Sequence, residues 1–142
     1  MTELAIRVAA AATLVWLGMV LAISFMEAPL KFRAEGLDMR VGLAIGHIVF
    51  RALNITEVVW AVVIAVCLTI AGPPGPVLMI AGVTVLLLAM QLLLVRPRLN
   101  RRSARVLAGQ DAPRSRAHHA YIGLEALKLV ALVALGAALL SG

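Results

Sequence analysis

The residues able to do chemistry are few, and several stand where charge is expensive. His47, Arg51 and Asn54 fall within a narrow arc at helical spacing, and Glu57 lies about 80° from His47 on the same side. His118, Tyr121 and Glu125 align at i, i+3 and i+7, with Lys128 three residues beyond Glu125. Glu27 stands just before Pro29. Glu57, Glu125 and Lys128 interrupt apolar runs, where an ionisable group at a membrane-helix centre costs about 2.5–3.5 kcal/mol. Glu27, His47, Arg51, Asn54, Glu57, His118, Tyr121 and Glu125 are therefore expected to line a polar cavity open to the cytoplasm. Carboxylates there could take up and release a proton or a cation, with Glu57 or Glu125 as the titrating group. Each feature also has a plainer use. Glu125 and Lys128 can neutralise one another, Arg51 can snorkel to headgroups, and His119 can solvate a helix start.

Other chemistries have weaker signals. His47 and His118 are the available pair of axial ligands for a haem, but neither His-x-x-x-His nor Glu-x-x-His spacing occurs. No cofactor is favoured. Cys67 lies in an apolar stretch and behaves as a small hydrophobe. No nucleophile elbow, phosphate-cradling loop or paired-carboxylate motif is present, so no catalytic residue is assigned and an enzyme is not expected. Gly42 and Gly46 form a small-xxx-small pair suited to close helix packing or to dimerisation.

The elements that must carry these residues follow from composition. The 142 residues are 63% hydrophobic and 14% charged, whereas soluble domains run at about 45–50% apolar and about 25% charged. That balance excludes both a disordered chain and an ordinary water-soluble domain. One cysteine excludes a disulfide scaffold. Residues 8–26 and 77–95 are each nineteen residues without a charge, and about 20 helical residues cross a 30 Å hydrocarbon core. A signal-peptide core is shorter, about 7–15 residues, so the first span is expected to be retained. The Gly72-Pro73-Pro74-Gly75-Pro76 block ends a second span and turns tightly into the third. The expected fold is all-α and polytopic. Four transmembrane helices at about 8–27, 43–71, 77–95 and 121–140 form one antiparallel bundle, with an Arg-rich loop over 96–120.

Charge orients the spans. The net charge is +6, and Lys31, Arg33, Arg40, Arg96, Arg98, Arg101, Arg102, Arg105, Arg114 and Arg116 all fall on one side, against Arg7 on the other. The positive-inside rule makes the Arg-rich side cytoplasmic and both termini extracytoplasmic. Residues 98–107 could form an amphipathic surface helix stopped by Gly109, with anionic lipid headgroups as partners from Arg96 to Arg116. Aromatics are 4% of the chain and the bases flank apolar runs, so nucleic acid is not expected.

The stretch 24–32, SFMEAPLKF, followed by 42–50, GLAIGHIVF, resembles a widespread group of small four-helix membrane proteins of unknown function. The Arg-rich 96–116 stretch and a histidine opening the fourth helix, His118 or His119, are similar too. Where that group often has a leucine-asparagine type of pair, this chain has Glu125 and Lys128. The resemblance implies a compact four-helix bundle and no particular activity.

These features predict a multi-pass protein of a cell membrane, the bacterial cytoplasmic (inner) membrane being the expected one. It would act as a packing or accessory component, as a homo-oligomer or within a larger membrane complex. The alternatives are a proton- or cation-coupled small-molecule transporter using Glu57 or Glu125, and a haem- or metal-binding redox protein using His47 and His118.

Overall fold

The computed structural model describes residues 1–109 and 116–142, with the side chains of 116–118 excluded. Arg114, and the side chains of Arg116 and His118, thus lie outside the described residues. The chain forms α1 (Thr2–Lys31), α2 (Met39–Ala71), α3 (Gly75–Leu107) and α4 (Arg116–Ser141). All four are long and apolar enough to cross a membrane, and the described residues contain no strand.

Local chemistry sets the boundaries. Asp38 caps the start of α2 by accepting from the Arg40 amide at 3.5 Å, a long contact. Gly72 ends α2 in the left-handed conformation, φ 58°, while its N–H donates to the Leu68 carbonyl at 3.0 Å. A side chain at Gly72 would strain that stop.

Helices α1 and α3 each continue through a proline expected to end them. The residues before Pro29 (Leu21–Glu27) and before Pro97 (Gln91–Val95) are wound as π-helix. The Ala28 amide donates to the Ile23 carbonyl and the Arg96 amide to the Gln91 carbonyl, both five residues back. A proline lacks an amide hydrogen and its ring presses on the carbonyl four residues earlier. The wider turn accommodates both problems without breaking the rod.

This corrects two expectations. Residues 96–107 are helical, as the amphipathic reading of 98–107 with Gly109 as its stop anticipates, but they continue α3 to Leu107 instead of forming a loop or a separate surface helix, and Gly109 stands just beyond at φ 86°. The second helix starts at Met39 rather than near 43. At 1.5 Å per residue, α2 and α3 are each about 50 Å long, so about 20 Å exceeds a hydrocarbon core of 30 Å. The Arg40 guanidinium donates to the Leu107 carbonyl at 2.5 Å and so ties the start of α2 to the end of α3.

Helix α1 packs against α2 and α4, and α3 packs against α4, whereas α2 touches the 75–90 part of α3 sparingly and meets α3 again where 96–107 lies against the first turns of α2. The apolar core gathers Ala9, Trp16, Leu68, Leu88, Leu132 and Leu135. The Phe32 ring lies against Gly42, where an added Cβ would collide with it, and Lys31 Nζ lies 3.1 Å from the Cβ position of Gly46. The end of α1 is thus seated on the glycine pair of α2.

Candidate functional site

Four helices bring one polar residue or more to a common level. Glu57 of α2 stands 14 residues from Ala71, Gln91 of α3 stands 16 from Gly75, and Lys128 of α4 stands 13 from Ser141. These separations correspond to about 20–24 Å of helix. Trp16, 14 residues into α1 from Thr2, matches them.

The groups meet in one network. The ammonium of Lys128 donates to Glu57 Oε2 in a short contact and to Gln91 Oε1 at 2.7 Å, and it lies 3.2 Å from Glu125 Oε2. The ammonium thus makes two hydrogen bonds and a further ion pair. Gln91 Nε2 donates to Glu125 Oε2 at 2.5 Å, and Ser24 Oγ donates to Glu125 Oε1 at 2.8 Å. Trp16 Nε1 donates to Glu57 Oε2 at 2.8 Å. Glu57 and Lys128 are 0% exposed, Gln91 1% and Glu125 2%, so water contributes little screening. Ser24 and Gln91 both sit within the π-helical turns.

A second layer lies toward the Arg-rich ends. Tyr121 is one turn before Glu125 on α4, Phe50 is two turns before Glu57 on α2, and Arg96 is five residues past Gln91 on α3. The Phe50 and Tyr121 rings meet edge to face with centroids 6.0 Å apart. The Arg96 guanidinium stands 5.3 Å from the Phe50 centroid and 6.0 Å from that of Tyr121, in cation–π range. The Tyr121 hydroxyl and Glu57 Oε1 are buried with no hydrogen-bond partner among the described residues, as is Glu27 Oε2.

The expected site residues divide. Glu57 and Glu125 enter the network, and Tyr121 covers it. Glu27 pairs with Lys31 at 3.5 Å near the end of α1. Asn54 is half-buried. His47 and Arg51 are exposed on α2, so the polar arc does not converge as expected. The reason is angular: a helix in this packing turns a narrow stripe inward, and the 80° separating His47 from Glu57 takes the histidine out of it. The inward groups close on one another instead of lining an open cavity.

Five participants carried weaker signals. Lys128 was legible only as a neutraliser of Glu125. Gln91 is the lone amide in an uncharged run, Trp16 sits mid-span away from the interfacial level usual for tryptophan, and Ser24 and Arg96 lie beside proline-linked turns. Among the described residues, no group of three or more His, Cys, Asp and Glu side chains is placed to hold a metal.

Fold and site together define an all-helical chain with four candidate membrane spans and a charged network at its centre. The chain matches no family model, no curated protein and no solved structure at a significant level, so the motif-level resemblance of 24–50 stands without a family match.

Proposed function

We propose that the chain is a small multi-pass membrane protein, an antiparallel four-helix bundle in the bacterial cytoplasmic membrane, whose activity runs through protonation of the Glu57–Lys128–Gln91–Glu125 network. In this reading it is a proton- or cation-coupled transporter of a small solute. The Arg-rich ends face the cytoplasm and both termini face out.

One observation carries the reading. Two fully buried carboxylates share a single ammonium, and Glu57 Oε1 has no partner. A clamp made only for packing gains little from such a centre, because desolvating ions costs several kcal/mol each and apolar replacements are often as stable. Ionisable side chains inside a span mark ion pathways, proton relays and counter-ion pairs.

The test is proton movement in proteoliposomes carrying an internal pH dye. Glu57→Gln should abolish solute-linked proton movement while leaving the yield of folded protein unchanged; undiminished movement overturns the reading. Cysteine labelling reads the orientation, with a site near Arg105 requiring permeabilisation and one at Gly75 not.

A second reading, an accessory subunit or oligomer, draws on a different feature. Where α2 and α3 separate, an apolar groove of about 520 Å³ is lined by Ala61, Ala65, Gly72, Ala81 and Gly82, with Trp16 among its walls. Small residues let a neighbouring helix approach closely. Stable co-purification with a larger complex in mild detergent supports this reading, and isolation always as a monomer opposes it. The haem reading draws no support from His47, which is exposed away from the interior. Anionic lipid headgroups remain the proposed partners of the basic stretch from Arg96 to Arg116.

A further inference from the structure

We infer that the hydroxyl of Tyr121 is the port through which protons pass between the Arg-rich end of the bundle and the buried carboxylates. This rests on the proton-binding reading above and names its route and its sidedness.

The two directions away from the network differ. Toward the ends of the helices remote from the arginines, the interior is Leu68, Ala81, Leu132, Leu135 and Leu139, all nearly or fully buried. The buried hydroxyls there are already committed. Thr13 donates to the Ala9 carbonyl at 2.7 Å and Thr84 to the Ile80 carbonyl at 2.9 Å, each along its own helix. A chain of proton carriers cannot be continued through them.

In the other direction stands a hydroxyl with no such commitment. Tyr121 is 8% exposed, its oxygen is buried without a partner, and Glu125, Glu57 and Arg96 all lie within electrostatic reach of it. Those three face it from α4, α2 and α3. Lys128 belongs to the network beneath, and α1 brings Ser24 to Glu125 and carries the Glu27–Lys31 pair at its Arg-rich end. The Phe50 edge and the Arg96 guanidinium hold the phenol ring between the network and the basic end. A hydroxyl both donates and accepts. No carboxylate oxygen stands within hydrogen-bond distance of the hydroxyl, so water carries the transfer on both sides. A hydronium on the Arg-rich side gives its proton to the phenol oxygen and becomes water, while the original O–H proton passes to a water that hands one of its own protons to a carboxylate oxygen. The phenol ends unchanged and the carboxylate becomes a carboxylic acid. Reversal releases the proton the same way.

Tyr121 is the chain's single tyrosine, so replacing all tyrosine with 3-fluorotyrosine alters this hydroxyl alone. The experiment is a pH jump on the whole protein in lipid nanodiscs, following the infrared carbonyl band of protonated carboxyl groups. Tyr121→Phe, which keeps the ring against Phe50, should slow proton arrival tenfold or more and leave the titration midpoint in place. Fluorotyrosine should change the rate at least twofold. Phe50→Ala, which opens the covering layer, should speed arrival severalfold, whereas Leu135→Ala on the far side should not. Arrival rates indifferent to both tyrosine changes overturn the inference while leaving the proton-binding reading intact. A native protein with no titrating buried carboxyl overturns both.

Discussion

The two halves of this bundle are built on opposite principles. In the half remote from the Arg-rich ends, Ala9, Ala12, Leu132, Leu135 and Leu139 pack closely, and Thr13 and Thr84 satisfy themselves within their own helices. In the Arg-rich half, the helices are joined by charge and amide: Glu57 to Lys128, Gln91 to Glu125, Ser24 to Glu125. In lipid the apolar half gains no hydrophobic drive from helix association, since acyl chains are as apolar as leucine, and it depends on close packing alone. The polar half adds directional bonds between helices, which tie Glu57, Gln91, Glu125 and Lys128 to particular partners. Packing holds the rods together and the network decides how they are turned.

The largest effect should come from removing Lys128, the fully buried cation of the network. Lys128→Met leaves two carboxylates uncompensated and should cost about 3–5 kcal/mol, read by denaturant titration in detergent. Combining it with Glu57→Gln should recover a large part of that loss. A double variant no better than the single one would show that the charges are not coupled.

In the apolar half, Leu132→Ala removes a side chain with 0% exposure and should cost about 2–4 kcal/mol through the space it leaves. Thermal unfolding followed by circular dichroism measures this, and the effect should add to that of a distant polar change such as Ser24→Ala. Trp16→Phe spans the boundary between the halves. It keeps most of the packing and deletes one donor to Glu57, with an expected loss of about 1.5–3 kcal/mol for a bond to a charged acceptor. A loss near zero would detach Trp16 from the polar half.

The smallest change is expected at His47→Ala, whose exposed side chain should leave stability within about 0.5 kcal/mol of the parent. If unfolding shifted by several kcal/mol, the outward placement of that face of α2 would be wrong.

How much of this was legible beforehand varies with the physics of each signal. Four spans follow from uncharged length, and Glu57 and Glu125 advertise themselves as charges in apolar surroundings. The arc of His47, Arg51 and Asn54 misled because spacing reports which residues share a side, without reporting where the edge of the buried stripe falls. Gln91 carried no charge and no periodicity, and only its contacts reveal it as the bridge between Lys128 and Glu125. The end of α3 was misplaced by a sound local rule. Pro97 does remove an amide donor, but the turn before it widens, and the helix goes on to Leu107.

Those widened turns have a genetic corollary. A turn closed five residues back holds one residue more than an α-turn, so each behaves as an insertion spliced into an otherwise regular rod. Removing a single residue from Gln91–Val95 would return α3 to ordinary winding, and because the wide turn already absorbs the extra residue, the segments on either side would keep their facing. The same extra residue in a helix without the wide turn would rotate everything after it by about 100° and swing Arg96 away from Phe50 and Tyr121. The turn thus stores one codon, and losing it would move little beyond the polar layer beside Gln91.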